Sequence, residues 1–285
     1  ETEYFKLDGL ELLEFIAENN INVVNKIISV IERNFEDFYR PFEIPKVTFI
    51  TSLYKGSKYF QGFLENVTNL DLFETSELLI YDADSPEQEF SICKPYLEKH
   101  KNIKYTRLDK NYSPTEVLNF GIKGSTGQYL TTAPVDDIRS KNYLRWTIRS
   151  LLETDESTCL VYGDCLQTNK CNETMESNTA NQLYGHSVMK FSRENMIKSL
   201  PGPMPVWKKD VHAKIGLFDE NYRYPADWEM WLRMVDNDYV FKKINKTIGL
   251  YFFNTSGLTT TENTRTEKIK EESEVFFKYK HIFGQ

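Results

Sequence analysis

The sequence predicts an α/β protein built on a mostly parallel central sheet flanked by helices. Three observations carry this. Short apolar, β-branched runs alternate with stretches of about 10–15 residues at helical spacing. Several runs end on polar or acidic turns, where open parallel sheets bind their ligands. A helical lead-in and a charged final helix flank the alternating region.

The elements follow in order. Residues 6–38 carry apolar side chains at helical spacing, broken at Asn19-Asn20, which predicts two helices; the stretch from Pro41 to Pro45 reads as a linker. Strands are expected at 47–51, 77–81, 103–107, 129–133 and 159–162, and helices at 59–70, 86–100, 114–124 and 141–153. Residues 167–187 are polar and aperiodic and read as a long loop that could serve as a lid. Met204 to Lys214 opens another packed unit, 227–235 is a helix, 241–253 holds one or two strands, and 262–282 is a charged C-terminal helix. The domain reading is a helical segment at 1–45, a body at 46–261 and the helix at 262–285. The body divides into two halves, 46–145 and 146–261.

The chain has 285 residues and a net charge of −7. Ten acidic and four basic side chains in residues 1–45 account for nearly all of that charge, marking a solvated helical face or a docking surface for a longer parent chain. An acidic chain without clustered Lys and Arg is not expected to bind nucleic acid. No apolar run reaches the roughly 18 residues of a membrane span. Cys93, Cys159, Cys165 and Cys171 form no C-x-x-C pair and read as reduced and structural, so a cytoplasmic setting is expected. The chain starts at Glu1 rather than Met, so it reads as processed or cut from a longer protein, and other domains are expected partners.

Three constellations could carry chemistry. Asp136-Asp137 follows a strand end. Adjacent carboxylates repel unless a cation or donor neutralises them, so the pair suits Mg²⁺ or Mn²⁺, or else caps a helix. Asp82-Ala-Asp84-Ser85 also follows a strand, where a carboxylate can accept from a nucleobase or ribose or close an Asx-turn. Asp227-Trp228-Glu-Met-Trp231-Leu-Arg233 opens a helix. Its tryptophans could stack on sugar faces while Asp227 binds or deprotonates a hydroxyl, or they could be core residues beside a cap. Gly121-Ile-Lys-Gly-Ser-Thr-Gly127 lacks the order of a phosphate loop and reads as a helix end and turn. His100, His186, His212 and His281 are scattered and support no catalytic triad.

Taken in order, these pieces resemble the family 2 glycosyltransferases, which have the GT-A fold. The matching motifs are the polar strand end Thr51-Ser52-Leu-Tyr54 and the acidic turn Asp82-Ala-Asp84-Ser85. They continue with Asn119-Phe-Gly121-Ile122, Gly127-Gln-Tyr129 leading to Asp136-Asp137, Phe218-Asp219-Glu220, and the Asp227 to Arg233 helix. The resemblance covers roughly residues 46–258. It implies that Thr51, Ser52, Asp82, Asp84 and Asn119 contact the nucleotide of a sugar donor, with UDP favoured. It also implies that Asp136 and Asp137 hold Mn²⁺ or Mg²⁺, and that Trp228 and Trp231 face a glycan or glycoconjugate acceptor. Asp227 is then the general base of an inverting displacement. The sequence departs from Asp-x-Asp at the metal motif, where Pro134 takes the first position. That departure favours the competing reading, a non-catalytic GT-A-like binding module. A nucleotidyltransferase is disfavoured because residues 52–58 lack a Gly- and Arg/Lys-rich phosphate loop.

Overall fold

A computed structural model describes residues 45–185, 187–254 and 264–284. Residues 1–44, and with them the helical lead-in, lie outside the described residues, as does His186. The strands are β1 (Val47–Leu53), β2 (Glu77–Asp82), β3 (Ile103–Arg107), β4 (Tyr129–Thr132), β5 (Ile138–Arg139), β6 (Thr158–Thr168), β7 (Val206–Lys208) and β8 (Val240–Phe252). The helices are α1 (Ser57–Thr68), α2 (Glu89–Lys99), α3 (Pro114–Gly124), α4 (Tyr143–Leu152), α5 (Val211–Ile215), α6 (Ala226–Asp236) and α7 (Arg265–Tyr279). One eight-stranded sheet runs β3-β2-β1-β4-β7-β6-β8-β5.

Strands β1 to β4 are mutually parallel where they pair, so their carboxyl ends share one edge. Register sets Leu53 beside Asp82 and Asp82 beside Arg107. The Ala133 N–H donates to the Ile50 carbonyl, which carries the chain after β4 past the end of β1. The predicted acidic clusters therefore converge on the same edge, as expected for ligand sites in open α/β sheets.

Local chemistry explains the helices that matter here. Helix α3 starts with a capping box: Ser113 and Glu116 bond reciprocally to each other's backbone N–H, and Pro114 occupies the first turn. Gly121 lets α3 settle on β1, because a Cβ there would stand 2.2 Å from Ile50 Cγ2. Helix α6 buries Met230, Trp231, Leu232, Met234 and Val235. Helix α7 docks on the same core through Val275 and Tyr279, and Ile282 and Phe283 extend the contact.

The structure departs from the sequence reading in three places. Asp137 does not cap a helix: Ile138–Arg139 forms β5, paired antiparallel with β8. Strand β6 runs to Thr168, because it pairs with β8 along nearly its whole length. Strand β7 inserts antiparallel between β4 and β6, so the sheet is mixed at its centre.

Candidate active site

The candidate ligand edge begins at the end of β1. Thr51 is fully buried inside the layer, while Ser52 is half-buried and Tyr54 exposed. Asp82 is only 1% exposed. Its Oδ1 accepts from the Ser85 N–H at 2.8 Å, and its Oδ2 accepts from the Tyr105 hydroxyl at 2.6 Å and Arg107 Nη1 at 2.7 Å. Arg107, 48% exposed, also reaches Asp84 Oδ1 at 2.6 Å. Asp84 holds a left-handed backbone, φ 56°, at the tip of this turn. The acidic turn therefore presents an arginine forked between two carboxylates. Facing them, Arg107 is held above its ordinary pKa, and Tyr105 is pushed up by burial and then by its bond to Asp82.

Next along this edge come Asp136, half-buried, and Asp137, buried. Asp137 Oδ1 accepts from the Phe252 N–H at 3.0 Å. Burial pushes the Asp136 carboxyl above its ordinary value. Burial and then the charge of Asp136 push Asp137 well above it, with the Phe252 N–H and Arg139 opposing. Two crowded carboxylates that resist ionising are what an added cation would relieve. No cluster of three or more His, Cys, Asp or Glu side chains suited to a metal occurs among the described residues. The donor set thus fits a hard cation held by Asp136 and otherwise by substrate oxygens and water, as Mg²⁺ prefers, rather than a cage made of protein alone.

The third group lies at the start of α6. Asp227 sits in the first helical turn, where its Oδ1 accepts from the Trp228 N–H at 2.7 Å and its Oδ2 from the Ser199 hydroxyl at 3.3 Å. It opens onto a cavity of about 600 Å³ whose walls include Tyr184, Tyr251, Trp228 and, from α7, Glu272 and Phe276. Asp227 is itself solvent-exposed at the cavity mouth; the walls around it and Glu272 tilt its pKa upward. Tyr184 and Tyr251 meet on this wall with ring centroids 4.7 Å apart and planes tilted by 51°. The Tyr251 hydroxyl is pushed up to about 12 by burial and then by Asp137, Asp136 and Asp227. Tyr251 thus lies within reach of the field of both carboxylate groups.

Three predicted contacts are corrected. Thr51, at 0% exposure, lies inside the sheet layer and is out of reach of a nucleotide. Trp231 is 1% exposed and packs edge-on against Trp207 and Phe218, so it belongs to the core rather than to an acceptor surface. Asn119 is buried and clasps the Phe218 backbone, its Oδ1 accepting from the N–H and its Nδ2 donating to the carbonyl, both at 2.9 Å. It also donates to Glu220 at 2.8 Å, so it joins α3 to the 218–220 turn instead of facing a nucleotide. Trp228 does line the cavity, with its Nε1 tied to the Met196 carbonyl. The sequence reading missed Tyr105, Arg107, Tyr184, Tyr251 and Glu272. Only the first two carried a signal: they alternate onto one face at the end of β3, beside the acidic turn.

Comparison with known proteins defines the class. Solved structures similar to this one are GT-A glycosyltransferases. The mannosyltransferase PcManGT from Pyrobaculum calidifontis, in complex with GDP-Man and Mn²⁺, aligns with a TM-score of 0.62 at 14% identity, over 94% of this chain and 76% of that one. S. aureus TarS 1–349 in complex with UDP aligns with a TM-score of 0.60 at 16% identity, over 82% and 66%. The profile of Glycosyl transferase family 2 matches residues 48–216, and the chain belongs to that family. Among curated relatives, an uncharacterized glycosyltransferase of Rickettsia typhi is 23% identical over 192 residues, covering 67% of this chain and 59% of its own length. The teichoic acid biosynthesis protein GgaB of Bacillus subtilis is 30% identical over 93 residues, covering 32% and 10%. The chain thus spans about three-fifths of the first of these relatives.

Proposed function

We propose that this chain transfers a sugar from a nucleotide-sugar donor, a UDP-sugar in the first instance, to a hydroxyl of a glycan or glycoconjugate. The observation that carries this is Asp227. It is a carboxylate in the first turn of α6, exposed at the mouth of a cavity, and Tyr251 on that cavity's wall also feels Asp136 and Asp137. A base in such a position takes the proton from the acceptor oxygen as that oxygen attacks the anomeric carbon. A single displacement inverts the configuration there.

The nucleotide rests against the edge formed by Ser52, the Asp82–Ser85 turn and Arg107. The Gly56 and Ser57 N–H groups at the start of α1 are already engaged, donating to Glu89 and Glu87. The diphosphate rests instead beside Asp136, with Asp137 behind it, where two anions need a cation between them. A divalent cation, Mn²⁺ or Mg²⁺, would supply charge neutralisation for the departing nucleoside diphosphate. TarS with UDP and PcManGT with GDP-Man and Mn²⁺ support this reading.

The test is a thermal-unfolding screen with UDP-, GDP- and dTDP-sugars, with and without Mn²⁺, followed by product analysis. Saturating donor should stabilise the protein by about 2–4 kcal/mol. No nucleotide binding and no turnover from any donor would support the non-catalytic module instead.

A further inference from the structure

We infer that Glu89 is a positioning residue for donor binding, a role that rests on the donor reading above. It reaches across from α2 to cap α1 and thereby fixes the spacing of the two turns that frame the nucleotide edge.

Helix α1 follows β1 directly, and its first N–H groups need partners. It supplies none itself: residue 56 is glycine, no side chain of its own caps it, and its first turn holds no acid. The partners come from the turn after β2. Glu89 Oε1 accepts from the Gly56 N–H at 2.9 Å and from the Ser85 hydroxyl at 2.7 Å. The Ser85 hydroxyl oxygen accepts in turn from the Lys55 N–H at 2.9 Å. The Ser85 N–H donates to Asp82 Oδ1, and Asp82 Oδ2 holds Arg107. One unbroken chain of bonds thus runs from the β1–α1 turn through Glu89 and Ser85 to Arg107.

Glu89 is fully buried, at 0% exposure, and its Oε2 has no partner among the described residues. A carboxylate is costly to bury, and a fold gains little stability from one that is half satisfied. What this one does is local. Lys55 and Asp84, which flank the gap, both hold left-handed backbones at φ 51° and 56°. Such conformations persist only when their surroundings over-determine them. Glu89 and Ser85 are the groups that tie Lys55 and Gly56 to the Asp84 turn.

The test measures UDP binding by calorimetry in the full chain, and exchange of the Gly56 amide in the absence of nucleotide. Glu89→Ala should raise the UDP Kd at least tenfold, equivalent to about 1.4 kcal/mol, and expose the Gly56 amide to exchange. Glu89→Gln keeps an acceptor oxygen and should return the Kd to within about threefold of wild type. Glu77 is the control. It too is a buried carboxylate with several partners, but it lies at the opposite end of β2, so Glu77→Ala should lower stability without changing the UDP Kd. If Glu89→Ala does not fold, Ser85→Ala breaks the same chain of bonds and should weaken UDP binding likewise. The inference is overturned if Glu89→Ala binds UDP within threefold of wild type, if Gln does not rescue, or if Glu77→Ala weakens binding equally. A wild-type chain that binds neither UDP nor GDP overturns the donor reading, and the positioning role falls with it.

Discussion

Replacing Asp227 by Asn removes the carboxylate proposed as the proton acceptor and little else. The amide keeps an oxygen for the Trp228 N–H and a polar group opposite Ser199, so the start of α6 should hold its shape. Asp227 is exposed at the cavity mouth and its charge faces Glu272, so a neutral isostere should leave the melting temperature nearly unchanged. The loss should fall on chemistry. A positioned general base contributes about 10²–10⁴-fold, so kcat for transfer should drop at least a hundredfold, or about 2.7 kcal/mol of barrier. Donor affinity, read by UDP calorimetry, should not move. The pH profile adds a second check. The folded pKa lies above the ordinary Asp value, so wild-type transfer should rise with pH through that raised pKa, and the Asn variant should lack this limb. Transfer by Asp227→Asn within a few-fold of wild type would refute the base assignment.

Three further outcomes follow from the packing. Gly121→Ala places a methyl 2.2 Å from Ile50 Cγ2 and should cost about 1–3 kcal/mol in urea unfolding by pushing α3 off β1. Trp231→Ala should cost about 3–5 kcal/mol of stability, whereas Trp228→Ala, at the cavity wall, should raise the acceptor KM with a smaller loss of stability. Glu77 is lowered to about 2, against desolvation, by Lys104, the Thr126 N–H and Thr48. Its folded pKa lies below its unfolded one, so its contribution is present above about pH 4.5 and fades as pH falls toward 2. Glu77→Gln should flatten that acid limb of stability, by about 2 kcal/mol once the exposure of Lys104 is allowed for.

Much of the site's layout was legible because its signals are local. Helix α3 matches the expected bounds, since Ser113, Pro114 and Glu116 announce its start within four residues. The acids at 82–84, 136–137 and 227 stood out because they follow strands or open a helix, and that position is set within a few residues. The roles of Asn119 and Trp231 were not legible in the same way. Each has the residue type a sugar site would use, but what Asn119 touches lies 99 residues away at Phe218. Burial of Trp231 depends on Trp207 and Phe218 arriving from other elements.

By itself the sequence determined the alternation of strands and helices, the acidic strand ends and the carboxylate that opens α6, because periodicity and turn chemistry are short-range. Tertiary structure decided the rest. It turned Ile138–Arg139 into a strand by offering it β8, and set β7 antiparallel in the middle of the sheet. It brought α7 to the cavity that Asp227 faces, and completed α1 with acids from another turn. The physical reason is the same in each case: an unpaired backbone group or an apolar face must find a partner, and the sequence does not say which distant segment will supply it.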